Sequence, residues 1–162
     1  IKDINWQKSA CGIASVAMVI EYYEPGIVSV NKLLAQGIAA GAYLKEAGWK
    51  HRDLALLANK YGLEGKNYDL ARSEKNAAFI EFKKYLKDGP VIASIYYKFD
   101  PKSTVPHLVV INGIQGDTIY YNDPAADSAG KTISTADFLK GWKKRFIVVR
   151  PGKENNQIAS IN

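Results

Sequence analysis

The sequence contains three residues whose types and positions suit nucleophilic chemistry. Cys11 is the only cysteine among 162 residues, and it lies where a polar stretch changes to an unbroken apolar run. His107 opens the run HLVVI directly after Pro106, and Asp123 ends the run TIYYND. A thiol beside an imidazole that a carboxylate orients is an arrangement that activates a sulfur nucleophile. Together they form a candidate site for acyl transfer.

The segment that begins at Cys11 predicts a helix to Tyr23, because nearly every residue is small or apolar and Pro25-Gly26 stops the run. A helix that is apolar on all sides belongs in a protein interior. We predict Ser9 as its N-cap, so that Cys11 lies in the first turn, where free N–H groups and the helix dipole favour a thiolate. Gly12 has no side chain, and we expect a substrate to approach its backbone closely. The helix alone favours a structural cysteine, since free cysteine is among the most buried residue types.

The hairpin that carries His107 and Asp123 decides whether the two can meet. We predict a three-residue loop over residues 115–117, which pairs Ile114 with Thr118. His107 and Asp123 are then diagonal neighbours on one face, within side-chain reach of each other.

Other turns would change this arrangement. The predicted register sets Val109 opposite Asp123, whereas a two-residue loop would put His107 and Asp123 on opposite faces. Asn112-Gly113 is a competing turn signal. We reject it because the return strand would then contain Gly116-Asp117, which are poor strand residues.

Each candidate also has a structural interpretation. His107 alone fits equally well as a strand-end histidine bonded to backbone, and Asp123 before Pro124 is more commonly a simple turn. His51, the other histidine, begins the run HRDLALLANKYG and is interpreted as a capping or surface residue. No tight pattern of His, Cys and carboxylate ligands predicts a metal site.

An oxyanion donor is sought just upstream of the cysteine. Gln7 lies four residues before Cys11, and its amide could donate to a substrate oxyanion together with the Cys11 backbone N–H. Asn5 or the indole of Trp6 could take the same role.

The elements that must position these residues change character along the chain. The first half predicts helices and the second half, after Gly89-Pro90, predicts strands with one short helix, which together indicate an α+β fold: a helical layer packed on an antiparallel sheet. The predicted helices are 11–23, 29–36 with Ser29 as cap, 51–61, a run capped by Ser73 that ends at Gly89-Pro90, and 135–142; the predicted strands are 91–97, 107–115, 118–123 and 146–150. Residues 39–49 are interpreted as a loop.

Size and charge limit the functions to be considered. We predict a single domain over residues 1–151 and a C-terminal tail or linker over residues 152–162. The net charge of +6 is modest, and the lysine groups around residues 83–87 and 140–145 are interpreted as solvated helix faces, so we expect no nucleic-acid partner. No apolar run approaches the length of a membrane span, and no signal peptide is visible. The sequence leaves the oligomeric state open.

These residues together resemble a papain-like cysteine peptidase, and more narrowly the bacteriocin-leader-processing, or double-glycine, peptidase family and its stand-alone relatives. The resemblance covers nearly the whole chain in order, through QKSACGIASVAMVIEYY, GWKHRDLALLANKYGL, GPVIASIYY, PHLVVINGIQGDTIYYNDPA and FLKGWKKRFIVVRP. It implies Cys11 as nucleophile, His107 as base, Asp123 as orienting carboxylate and Gln7 as oxyanion donor, with no cofactor. Many papain-like enzymes have five residues between that glutamine and the cysteine, whereas here there are three.

The expected function is therefore a cysteine peptidase that acts on peptides or protein leaders through an acyl-enzyme intermediate. An acyltransferase on the same fold shares the acyl-enzyme step and stays open, as does a non-catalytic peptide-binding domain. The absent initiator Met and the family habit favour an extracellular or cell-surface location, and a cytoplasmic one stays open.

Overall fold

The fold is organised around a strand that is buried on both faces. In the computed structural model, which describes residues 10–44 and 48–152, every residue from Val91 to Ile95 is buried. A strand reads as a continuous apolar run when both faces of its sheet are covered. The run VIASIY therefore requires helices on both sides, and the structure provides them.

Within the described residues the chain forms five α-helices and eight strands. The helices are α1 (Cys11–Tyr23), α2 (Val30–Ala39), α3 (His51–Leu57), α4 (Lys75–Leu86) and α5 (Thr135–Gly141). The strands are β1 (Tyr43–Leu44), β2 (Gly48–Trp49), β3 (Leu63–Asp69), β4 (Val91–Tyr96), β5 (Pro106–Gln115), β6 (Thr118–Asn122), β7 (Lys131–Ser134) and β8 (Trp142–Pro151). Short 3₁₀ turns follow α3 and β4, at Ala58–Tyr61 and Tyr97–Phe99.

Six strands form one antiparallel sheet in the order β3-β8-β4-β5-β6-β7, and β1 pairs with β2. Residues that alternate along the strands point to two separate cores. On one face, α1, α2 and α3 pack on a mostly aliphatic core that includes Ile92, Leu108 and Ile147. On the other face, α4 and α5 pack on an aromatic core that includes Phe82 and Phe146. The α+β class and the burial of the first helix are confirmed. The sequence predicted one helical layer, whereas the structure has one on each face of the sheet.

The sequence missed the strands at both edges of the sheet. The strand β3 was assigned no structure, because LEGKNYD is polar and largely exposed, as an edge strand can be. The strand β7 was missed because it is short and half-exposed. The predicted loop over 39–49 contains the β1–β2 pair instead. The basic group after Lys140 lies mostly on strand β8, so its interpretation as a helix face was wrong.

Of two predicted helix caps, one is found as expected and the other is shifted by one residue. Ser29 caps α2 as predicted, since its hydroxyl accepts from the Lys32 N–H at 3.1 Å. The helix α4 is capped by Glu74 rather than Ser73, because the Glu74 carboxylate accepts from the Ala77 N–H at 3.0 Å.

The expected domain boundary after residue 151 falls where β8 ends. It stays a prediction, because residues 153–162 lie outside the described part of the chain. Among the described residues, no helix is long and apolar enough to span a membrane.

Candidate active site

The start of α1 places Cys11 at the surface end of a buried helix. The N-cap is Ala10 rather than Ser9, which lies outside the described residues, and the Ala10 carbonyl accepts from the Ala14 N–H at 2.8 Å. Cys11 is therefore the first helical residue, and its N–H is one of those without an intrahelical acceptor. Its side chain is partly exposed. The predicted first-turn position is confirmed, although by a different cap.

The helix α1 is buried on one side only. Met18 is 39% exposed and Tyr22 is 65% exposed, so α1 is buried in the core as predicted but leaves one side open rather than being enclosed on all sides. Gly12 is buried, and an added Cβ there would lie 2.9 Å from atoms of both Leu54 and Trp49. The missing side chain thus allows α1 to pack on α3 and β2, and the expected substrate approach at Gly12 is not supported.

The hairpin of β5 and β6 has a different register from the prediction. Gln115 pairs with Thr118, so the turn is the two-residue loop Gly116-Asp117, with Gly116 at φ +59°. Such loops require positive φ at the first position, which glycine adopts without cost. By itself this loop would put the histidine and the carboxylate on opposite faces, as the alternation of side chains demands.

A β-bulge at Asn112 restores the arrangement. Ile111 pairs with Tyr121 and Gly113 pairs with Tyr120, so β5 carries one extra residue between them. The ladder ends at the pair of Val110 with Asn122, so Asp123 follows in the register that the sequence predicted for the face of His107. The competing turn signal at Asn112-Gly113 is the site of the bulge.

His107 and Asp123 are in direct contact. His107 Nε2 lies 2.7 Å from Asp123 Oδ1. His107 is only 5% exposed and the Asp123 side chain is 18% exposed. Asp123 Oδ1 also accepts from the Ala125 N–H at 2.8 Å, which holds the carboxylate in a turn. Asp123 therefore serves both its turn and the histidine.

The charges of this pair support each other. Burial raises the pKa of Asp123, but hydrogen bonds from His107 and the Ala125 N–H outweigh burial and hold the pKa below its ordinary value. Burial lowers the pKa of His107, but hydrogen bonds to Asp123 and Cys11, with Coulombic attraction to both, raise it to about 9. Because Nε2 is bonded to Asp123, Nδ1 is the ring nitrogen left for the sulfur. The site therefore favours a protonated His107 imidazolium beside an ionised Asp123 carboxylate.

Cys11 and His107 line one open cavity of about 300 Å³. Its other walls are mostly small or apolar side chains: Ala10, Ala14, Tyr97, Val105, Pro106, Pro124 and Ala125. The partly exposed Cys11 therefore shares an open cavity with His107.

Two positioning contacts were not predicted from the sequence. Ser15 is fully buried in α1, and its hydroxyl donates to the Leu108 carbonyl at 3.3 Å. Because Ser15 is one helical turn after Cys11 and Leu108 follows His107, this bond fixes α1 to β5 beside the site. The ring of Tyr97 meets the His107 ring edge-on, with centroids 5.3 Å apart. Only the burial of a serine in an apolar helix could have suggested the first contact.

The two remaining candidates do not join this cluster in the described structure. His51 begins α3 and its N-cap is Lys50, so it is not a cap. It is partly buried, and burial followed by repulsion from Arg145 and Lys143 lowers its pKa. Gln7, with the alternatives Asn5 and Trp6, lies outside the described residues.

Solved structures of peptidases share this fold. A double glycine motif protease from an AMS/PCAT transporter, solved in complex with the leader peptide, is 26% identical, with a TM-score of 0.61 over 88% of this chain and 84% of that chain. The peptidase domain of Streptococcus ComA is 21% identical, with a TM-score of 0.65 over 90% of this chain and 93% of that chain. A C39-like peptidase from Bacillus anthracis is 21% identical, with a TM-score of 0.65 over 90% of each chain. The fold is that of the papain-like cysteine peptidases.

The chain belongs to the Peptidase_C39 like family, since the sequence model of that family matches residues 1–147. It is therefore a cysteine peptidase by family as well as by fold. A comparison with curated protein sequences gives no match.

Proposed function

We propose that this domain cleaves peptide bonds with Cys11 as the nucleophile, His107 as the general base and acid, and Asp123 as the orienting carboxylate. The observation that carries the proposal is the hydrogen bond of 2.7 Å between His107 Nε2 and Asp123 Oδ1. Cys11 interacts with the same imidazole ring and raises its pKa. This chain of contacts has the order that a sulfur nucleophile needs: a base at the sulfur and a carboxylate behind the base.

The first half of the reaction forms a thioester. The sulfur of Cys11 attacks the carbonyl carbon of the scissile bond, and the carbonyl π electrons move to the oxygen. When the tetrahedral intermediate collapses, the C–N bond breaks and the His107 imidazolium gives its proton to the departing amine. Asp123 stays ionised and stabilises the imidazolium throughout.

The second half releases the acid. A water molecule loses a proton to neutral His107 and attacks the thioester carbonyl, and the C–S bond breaks to regenerate the thiolate and the imidazolium. No redox step and no external cofactor enter this balance.

The oxyanion of both intermediates needs donors. The Cys11 backbone N–H points from the uncapped start of α1 and is the first donor we assign. We propose the Gln7 amide as the second, because a side-chain donor is expected on the N-terminal side of the nucleophile.

The proposed substrates are peptides or protein leaders. The family match and the likeness to a double glycine motif protease solved with a leader peptide make leader segments that end in two glycines the first to test. An extracellular or cell-surface location is part of this proposal.

The test is a cleavage profile on a peptide library with matched variants. We expect cleavage by the wild-type domain and a loss of at least about a thousandfold in Cys11→Ala and His107→Ala. Alkylation of Cys11 by iodoacetamide near neutral pH should also slow in His107→Ala. An alkylation rate that does not depend on His107, together with no cleavage of any peptide, would refute the proposal.

Two controls separate the related functions. An added amine acceptor distinguishes hydrolysis from acyl transfer, because a transferase would yield the amide of the acceptor rather than the free acid. Peptide binding that Cys11→Ser leaves unchanged, with no turnover, would indicate a binding domain.

A further inference from the structure

A second β-bulge lies at the end of the sheet that carries His107. Ser94 of β4 pairs with Arg145 of β8, but the next residue, Ile95, pairs with Trp142. Lys143 and Lys144 are therefore extra residues that the bulge displaces from the ladder. Lys144 has φ +60°, a left-handed conformation that side chains other than glycine adopt at a cost. A strained bulge re-aims side chains, and here it re-aims two lysines.

These lysines form part of a basic pocket of about 500 Å³. We call it the β8 basic pocket; it comprises Lys75, Lys140, Lys143, Lys144, Arg145 and Tyr96. None of the described side chains that line it is a carboxylate. Five cations converge on one depression in a chain whose net charge is only +6.

The acids near the pocket neutralise only part of this charge. Arg145 Nε pairs with Asp69 Oδ2 at 3.1 Å, and Lys140 Nζ lies 3.8 Å from Asp137 Oδ1. Lys144 Nζ donates to the Ser73 carbonyl at 2.9 Å, and the Glu74 carboxylate is close enough to attract this ammonium.

Lys143 is a cation of the pocket that is packed on an aromatic ring. Its ammonium lies over the Tyr96 ring, 4.9 Å from the centroid. Burial and then repulsion from Arg145 lower its pKa, so the unliganded pocket holds this charge at a cost. An anion that entered the pocket would relieve this repulsion.

The pocket lies beside the peptidase site. Ile95 pairs with His107 on one side and with Trp142, which lines the pocket, on the other. The backbones of His107 and Trp142 are therefore two strand spacings, or about 10 Å, apart. Tyr96 of the pocket pairs with Pro106, which lines the cavity around Cys11. An extended peptide advances about 3.3 Å per residue, so about three residues bridge this distance.

We propose that the β8 basic pocket binds an acidic side chain, Glu or Asp, of the peptide substrate, about three to five residues from the scissile bond. This inference rests on the proposed function for the position of the scissile bond. The position of the pocket beside the Cys11 cavity favours a carboxylate on the substrate over a free anion, because a peptide that extends from Cys11 along this end of the sheet would reach it.

The test uses matched peptides that differ only in one Glu or Gln, placed in turn at each position around the best-cleaved bond. The wild-type domain should cleave one Glu peptide about fivefold more efficiently than its Gln partner, through KM. Lys143→Gln should reduce this preference below about twofold, and Lys143→Glu should reverse it. Lys32→Glu, an equal charge change on the exposed face of α2, should keep it.

The same labelled peptides, bound to the Cys11→Ala variant and followed by fluorescence anisotropy, separate the two proposals. Lys143-dependent preference for Glu without cleavage by the wild-type domain would support the pocket while refuting the peptidase. Cleavage with equal efficiency for Glu and Gln at every position, or a preference that both Lys143 variants retain, would overturn the pocket alone. Lys143-dependent binding of inorganic phosphate, with no Glu preference, would also overturn it, because the site would then take free anions.

Discussion

Two β-bulges in the same sheet have opposite electrostatic results. The bulge at Asn112 in β5 restores the register that joins His107 to Asp123, so unlike charges meet at 2.7 Å. The bulge at Lys143 and Lys144 in β8 gathers like charges around one pocket.

The difference distinguishes two kinds of site. At the first bulge His107 and Asp123 are partners within the chain, which fixes the geometry before any substrate arrives. At the second, repulsion between neighbours is left in place, and relief must come from another molecule. A fold can thus use one backbone irregularity either to complete a site or to leave it incomplete.

Deletion of Asn112 should have the largest effect, because it removes the bulge and turns Asp123 to the face opposite His107. We expect kcat/KM to fall about a thousandfold. Asn112→Ala keeps the residue count and should stay within about threefold of wild type. Circular dichroism and thermal unfolding identify deletion variants that still fold. A folded deletion variant with wild-type activity would show that the bulge does not set the pair.

Asp123→Asn tests the first bulge through pH. The raised pKa of His107, about 9, keeps the imidazolium up to that pH, so kcat/KM of wild type should fall on an alkaline limb near pH 9. The same shift stabilises the fold: its contribution is full below the unfolded pKa of about 6.5 and is lost as pH rises through about 9.

Without the carboxylate, the alkaline limb should move down by more than about one pH unit, and kcat/KM at neutral pH should fall about a hundredfold. Profiles of kcat/KM and of thermal midpoint against pH measure both effects. An alkaline limb that stays in place would show that Asp123 does not raise the pKa of His107.

Ser15→Ala should have a moderate effect, because it removes the bond that fixes α1 to the strand of His107. The free energy of unfolding should decrease by about 1 kcal/mol, and kcat should fall several-fold with KM nearly unchanged. Ser15→Thr keeps the hydroxyl that bonds the Leu108 carbonyl and serves as the control. If Ser15→Ala loses stability without any loss of kcat, the bond supports only the core.

Lys144→Gly should have the smallest effect and sharpens the view of the second bulge. Glycine relieves the positive φ, worth about 1 kcal/mol, but loses the hydrogen bond to Ser73. We expect the free energy of unfolding to rise by no more than about 1 kcal/mol, measured by urea denaturation. A clear loss of stability would mean that the lysine side chain, rather than the backbone, holds the bulge.

Much of the fold and of the site could be predicted from local pattern. The bounds of α1, Cys11 to Tyr23, follow from an apolar run between a polar stretch and Pro25-Gly26. The pairing of His107 with Asp123 was predicted on the correct face, although the turn was one residue too long and the bulge was missed. The two errors, each of one residue, cancelled. Side chains alternate between the two faces of a strand, so a shift of one residue in the turn and another at the bulge together return Asp123 to the face of His107.

The remaining features depend on contacts that a sequence does not display. Gly12 was assigned to substrate access, but its neighbours Leu54 and Trp49 are set by the packing of three elements. Lys143 and Lys144 follow a helical spacing in the sequence, and only their position between paired residues of β8 reveals a bulge. Edge strand β3 lacks an apolar pattern because its backbone pairing, rather than burial, determines it.

The strand order has a consequence for biosynthesis. The strand β8 is the last described element, yet it lies between β3 and β4 in the sheet. While the ribosome is still making this segment, β3 has no partner and the sheet is open at its middle. The layer that carries Cys11 therefore lacks much of its support until β8 has been made. In this strand order, the sheet beneath α1 closes only after β8 has been synthesised.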